Sequence, residues 1–123
     1  MKSQLKVTGI DHVVLHVRDL ARSKKFYVEL LGMEVEHEHS WGAFLCCGKQ
    51  MVALFKVQKG EKIHGGSEMN HMALRLKSGG YEKVKAVLEE AGCKVTGRRG
   101  DPRCIYFFDP DGHRLQLLTP EER

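Results

Sequence analysis

The sequence contains no CxxC pair, no apolar run long enough to span a membrane, and no apolar signal region behind its N-terminus. Each absence removes a class of protein. Without an apolar span the chain is not expected to cross a membrane. Without a signal region it is not expected to be secreted. The four cysteines, Cys46, Cys47, Cys93 and Cys104, lack paired spacing, and adjacent Cys46 and Cys47 point to opposite faces of a strand. They read as reduced, mostly buried thiols of a cytoplasmic protein, with a redox role as the lesser alternative.

Charge excludes a further class. The net charge is +4, from 20 Lys and Arg against 16 Asp and Glu. The positive residues, among them Lys24, Lys25, Lys49, Lys56, Lys59, Arg98 and Arg99, are scattered and accompany no DNA- or RNA-reading signature. A solvated surface accounts for them better than a nucleic-acid site. The sign also argues weakly against sequestration of cationic drugs. At 123 residues, 41% hydrophobic and 29% charged, the chain suits one soluble domain spanning 1–123.

What is present is a repeat. Ile10–Val17, IDHVVLHV, alternates as a strand: Val13, Leu15 and Val17 on one side, Ile10, His12, Val14 and His16 on the other. Met69–Leu76, MNHMALRL, repeats the pattern, with Met72, Leu74 and Leu76 opposite His71, Ala73 and Arg75. His12 and His71 hold the same place in the two copies. Behind the first strand come Asp19 as N-cap, a helix over Leu20–Leu31 and Gly32 as its stop. Behind the second come Ser78, a helix over Tyr81–Ala91 and Gly92. The interval from His12 to Gly32 is 20 residues and that from His71 to Gly92 is 21. Two copies at a period of about 60 suit a pseudo-symmetric domain better than a solenoid.

Each copy extends to a βαβββ module, about 7–57 and 69–118. In the first, a strand over Val7–Val17 and the helix lead to a polar strand near a sheet edge, Glu34–His39. A hairpin of Trp41–Cys47 and Met51–Val57 then closes the module. Gln58–Glu68 is the internal linker. The second runs through strands Asn70–Leu76 and Lys94–Gly97 to a hairpin, Arg103–Phe108 and His113–Leu118, around the turn Asp109-Pro110-Asp111-Gly112. Superposing the copies makes Ala53 and Gln116 equivalents. The predicted fold is α+β: two curled mixed sheets around a trough, helices outside and histidine faces inside. The tail Thr119–Arg123 is expected to be exposed.

At this point HVVLHVRDLARSKKFYVELLGMEV and FFDPDGHRLQLL resemble the vicinal oxygen chelate superfamily, which includes glyoxalase I, extradiol dioxygenases, fosfomycin resistance enzymes and bleomycin-binding proteins. The resemblance covers roughly Ile10 to Leu118. It implies metal ligands at His12, Ala53, His71 and Gln116, and a homodimer with sites shared between halves, sometimes across chains. Ala53 cannot ligate. Gln116 stands in DGHRLQL where the family commonly has a Glu. Two imidazoles suit zinc, nickel, iron or manganese; a neutral amide oxygen holds such an ion less tightly than a carboxylate does, so the metal is expected to be weakly bound or absent.

The departures narrow the activity. The pattern of two His and one carboxylate is broken, which argues against an extradiol dioxygenase. An amide cannot serve as the base of glyoxalase I; the base would have to come from elsewhere, with His16 and Glu68 as candidates. His16 lies roughly 13 Å along the strand from His12, too far to share its ion. SWGAFLCCGKQMVALF and IYFFDPDGH resemble the fosfomycin enzymes, with Tyr106 in the place of a site tyrosine. Val14 and Cys104 replace hydroxyl residues those enzymes use, and the Arg-bearing tail is missing, which argues against fosfomycin as substrate.

Two readings follow. One is a divalent-metal enzyme acting on a small molecule with adjacent oxygens. His12, His71 and Gln116 would hold the ion, and Tyr106, Arg75 and His16 would meet substrate. The other is a metal-free module that captures an apolar or aromatic small molecule, as bleomycin-binding proteins do. For each residue a plain alternative exists: satisfied strand histidines, core packing for Tyr106, a rim ion pair for Arg75. Trp41 reads as a sheet or lid residue, His37, His39 and His64 as exposed, and His113 has no assigned role.

Overall fold

A computed structural model describes residues 3–63 and 69–120. The fold is α+β, with two sheets that repeat one plan. The first half runs β1 (His12–Val17), α1 (Leu20–Lys25), β2 (Glu34–His39), β3 (Gly42–Cys47) and β4 (Gln50–Lys56). Its sheet order is β1-β4-β3-β2, so the polar strand β2 does form an edge. The second half runs β5 (Met72–Arg75), α2 (Tyr81–Glu90), β6 (Ile105–Phe108) and β7 (Arg114–Leu118), ordered β5-β7-β6. In both halves the first strand pairs parallel with the last: Val14 opposes Ala53, and Ala73 opposes Gln116. The register therefore bears out the equivalence of Ala53 and Gln116.

Local chemistry sets the element ends. Asp19 caps α1, its carboxylate accepting from the Arg22 N–H at 3.0 Å. Gly32 and Gly92 follow the two helices at φ +79° and +95°, the left-handed stop expected of them. Several expectations need correction. The first strand begins at His12 rather than Val7. The first helix changes at Phe26 into a π-helical turn, Phe26–Leu30. The second helix starts from Gly80 without a side-chain cap, because two glycines separate it from Ser78.

Lys94–Gly97 is not a strand but a single bridge, Thr96 to Tyr106. Gly97 ends it: at φ +110° a Cβ would lie 2.0 Å from the Cys104 carbonyl oxygen. Thr119, placed in an exposed tail by sequence, is fully buried. His64 and Glu68 lie outside the described residues.

One hydrophobic cluster draws on both halves, with Val17, Tyr27, Leu45 and Leu54 from the first and Leu88, Ile105, Phe107 and Leu115 from the second. Polar atoms lock the halves together. The Tyr27 hydroxyl donates to Asp109 Oδ2 at 2.7 Å, and His113 Nδ1–H donates to the same oxygen at 2.8 Å. Asp111 accepts from Ser23 Oγ at 3.0 Å, from Arg22 Nη2 at 3.1 Å and from the Arg18 N–H at 3.2 Å. His113, left without a role by sequence, is thus a buried structural residue.

Burial alone would raise the Asp109 carboxyl, but hydrogen bonds from His113 and Tyr27 more than offset this and hold it below the usual carboxylate value. The same burial, with Asp109 as neighbour, pushes the Tyr27 phenol well above its ordinary value. A carboxyl lowered in the folded state stabilises fully above its unfolded value, about pH 4, and loses that contribution as pH falls through the folded one. Asp109→Ala is expected to cost about 3 kcal/mol at pH 7, since it orphans buried donors. Urea unfolding should show a lower midpoint at pH 7 and a weaker loss of stability below about pH 4 than in the wild type.

Candidate functional site

The strand faces away from the shared core carry the residues of interest. In the second half His71 directly precedes β5, Gln116 opposes Ala73 across β5–β7, and Tyr106 opposes Gln116 across β6–β7. Ile105 and Phe107 take the opposite, core side, as alternation requires. The edge of the His71 ring meets Tyr106 at 5.5 Å between centroids. The Arg114 guanidinium lies over the Tyr106 ring, Cζ 4.0 Å from its centroid. His71, Tyr106, Arg114 and Gln116 therefore form one group.

Their donor atoms are oriented. Gln116 Nε2 donates to the Arg103 carbonyl, which can only accept, and this fixes which end of the carboxamide is the amide oxygen Oε1. His71 Nδ1 lies 2.7 Å from Asn70 Oδ1. His12 Nδ1 lies 2.7 Å from Asp11 Oδ2. In both halves an oxygen of the residue immediately before the histidine lies against Nδ1, and a neutral ring that donates to it from Nδ1–H keeps the Nε2 lone pair. An outer partner of this kind orients imidazole ligands in metal sites. The sequence shows the signal, an Asp-His and an Asn-His at repeat-equivalent places, but only geometry gives it meaning.

The structure does not bring every predicted residue into this group. His12 stands on the first sheet, its ring edge 5.9 Å from Phe44, the register counterpart of Tyr106. His16 opposes Phe55 farther along β1. Arg75, at the far end of β5, is exposed, and Arg114 takes the cationic place beside Tyr106 instead. Among the described residues no three His, Cys, Asp or Glu gather as a metal cluster. The set His12, His71 and Gln116 holds only two residues of those types.

The same face of the first sheet carries an aromatic array. His37 stacks on Phe44 at 4.6 Å, His39 on Trp41 at 4.8 Å, and Trp41 stands edge-on to Phe55 at 5.2 Å. A β-bulge creates it. The register shifts between Val35 and His37, so His37 opposes Phe44 and Glu38 opposes Ala43. Without the shift the two histidines would turn inward. His37 and His39 are exposed, as expected from sequence, but they are stacked rather than idle.

The four cysteines are free and half-buried. A hydrogen bond to Glu36 pushes the Cys46 thiol up, and burial does the same for Cys47 and Cys93. A raised thiol is a poorer nucleophile near neutral pH, which argues against a redox role for these three. No helix among the described residues is long and apolar enough to cross a membrane.

Known proteins match this arrangement. The model of the Glyoxalase/Bleomycin resistance protein/Dioxygenase superfamily matches residues 9–117. The chain is 32% identical over 111 residues to the glutathione transferase FosA of Serratia marcescens, covering 89% of this chain and 79% of that protein. It is 27% identical over 117 residues to the metallothiol transferase FosB of Staphylococcus epidermidis, covering 92% and 84%. The solved fosfomycin resistance protein FosX of Listeria monocytogenes shares the fold at a TM-score of 0.75 and 20% identity, over 93% of this chain and 92% of that one. With its repeated sheets, parallel first-and-last strand pairs and matched histidines, the chain belongs to the Glyoxalase/Bleomycin resistance protein/Dioxygenase superfamily.

Proposed function

We propose that the chain is a divalent-metal-dependent enzyme of the vicinal oxygen chelate type, acting on a small molecule with adjacent oxygens. His12 and His71 through Nε2, and Gln116 through Oε1, would hold the ion. The observation that carries this reading is the shared commitment of both imidazoles: each Nδ1 is engaged at 2.7 Å by the residue before it. Two imidazole nitrogens and an amide oxygen fit zinc, nickel, manganese or iron. The ion would supply Lewis acidity toward a substrate oxygen. Tyr106 offers a hydroxyl beside Gln116, and Arg75 and His16, farther along their own strands, would meet substrate.

His12 joins the set across the two sheets, within one chain or between the chains of a homodimer. Four free thiols suit a reducing compartment such as the cytoplasm. The names of FosA and FosB favour group transfer as the reaction class. Gln116, Val14 and Cys104 still argue against fosfomycin as the substrate, and no thiol transfer to it is expected.

A second reading rests on the aromatic array. Trp41, half exposed at 49%, and its neighbours form a surface on which a planar molecule could stack without any metal.

Metal analysis of protein purified without chelator or nickel resin separates the readings. About one ion per site, lost in His71→Ala, is the expected result. Gln116→Glu is expected to tighten metal binding roughly tenfold or more; an unchanged affinity would remove Gln116 from the ligand set. The second reading is checked through Trp41, the single tryptophan. Saturable quenching of its emission by a planar aromatic carboxylate such as naphthoate in metal-free protein, weakened in His39→Ala, which keeps the fluorophore, and absent with a saturated-ring analogue, would favour capture over catalysis.

A further inference from the structure

The two halves reach one result with different residues. Each holds an imidazole whose Nδ1 must carry the proton if Nε2 is to be a free donor atom. Behind His12 stands a carboxylate, Asp11, which can only accept. The tautomer of His12 then follows without help. Behind His71 stands a carboxamide, Asn70. A carboxamide can present its oxygen or, turned over, its NH2. Turned over, it would drive the His71 proton to Nε2 and remove the outward lone pair.

Arg114 removes that choice. Its Nη1 lies 3.4 Å from the same Asn70 Oδ1 that His71 Nδ1 reaches at 2.7 Å. A guanidinium only donates and stays protonated. Two donors on one atom require that atom to be oxygen. Arg114 is itself held from the other side by the Tyr106 ring, 4.0 Å away, and Tyr106 meets His71. The contacts close a circuit: His71, Asn70, Arg114, Tyr106 and back to His71. Among the described residues no carboxylate is paired with Arg114 to draw it away. In the first half Met51 stands two residues before Ala53, where Arg114 stands two before Gln116. A carboxylate acceptor needs no such guard.

We infer that Arg114 is a positioning residue: it fixes the face of the Asn70 carboxamide and, through it, the Nδ1–H tautomer of His71. Its purpose rests on the metal-site reading above, but the tautomer is readable without metal. The test uses the metal-free full chain labelled with 15N-histidine, at a pH of about 8.5 where imidazole is neutral. Long-range proton–nitrogen spectra should show His12 and His71 both as Nδ1–H. Arg114→Met copies the residue of the first half. It should shift His71 to a mixture with Nε2–H and leave His12 unchanged as internal reference. Adding Asn70→Asp rebuilds the Asp-His pair of the first half and should restore Nδ1–H. Metal affinity should fall roughly tenfold in Arg114→Met and recover in the double variant.

Should Arg114→Met fail to fold, Asn70→Ala at an exposed position should give the same tautomer mixing. A His71 tautomer indifferent to these changes, or unrescued by Asn70→Asp, overturns the inference. If the wild type takes up no metal but the tautomer responds, the metal reading falls and this one stands. If metal binds and the tautomer ignores Arg114, the reverse holds.

Discussion

Two buried carboxylates, Asp109 and Asp111, set the relation between the halves. Desolvating a carboxylate costs several kcal/mol, and only a full set of donors offsets that cost. Asp109 takes donors from Tyr27 and His113; Asp111 takes them from Ser23, Arg22 and Arg18. Tyr27, Ser23, Arg22 and Arg18 all belong to the first half, more than 80 positions earlier in the chain. The π-helical turn at Phe26 shifts the helical phase just where Tyr27 meets Asp109. Because the turn that holds these carboxylates leads directly into β7, the same contacts locate Arg114 and Gln116. A slip of the halves would leave charges buried and unpaired.

Within that frame duplication has left one backbone plan and two chemistries. Matched positions carry Asp11 and Asn70, Phe44 and Tyr106, Met51 and Arg114, Ala53 and Gln116. The second member of each of the last three pairs adds a polar group that the first lacks. The first half is correspondingly apolar and aromatic, extended by His37, His39 and Trp41. One sheet offers donor atoms, the other a surface for stacking.

How far the sequence foretells this depends on the range of each interaction. Alternation around His12 and His71 exposes the strands and their faces, because a period of two survives any environment. The helix stops at Gly32 and Gly92 are equally legible, since a left-handed backbone is a local demand. The bulge between Val35 and His37 is not: nothing in the run of polar residues marks the one extra residue that turns His37 and His39 to the outer face. His113 looked idle because its acceptor, Asp109, is shared with Tyr27 from a distant helix. Arg114 is not legible in the sequence because, like Arg75, it is one more cation on a strand face, and only its packing on Tyr106 marks it. Asn70 and Asp11 were visible but mute, since their roles lie in which ring nitrogen they engage.

Charge decides what an ion in this site would accept. Two neutral imidazoles and a carboxamide leave a divalent cation with both its charges. Asp11 returns part of one through His12, as carboxylate partners of ligating histidines do. Arg114, behind Asn70, acts in the opposite sense. These two outer charges would offset each other, and with an ion bound the field at the site would stay positive. At an effective dielectric of about 20, an anion about 4 Å from each cationic charge gains roughly 4 kcal/mol per charge. A glutamate at position 116 would absorb one share of that attraction permanently. The carboxamide leaves it to the incoming molecule. On the metal-site reading, the exchange that weakens the resting hold on metal would raise the preference for an anionic chelating ligand and would couple metal and ligand so that each tightens the other.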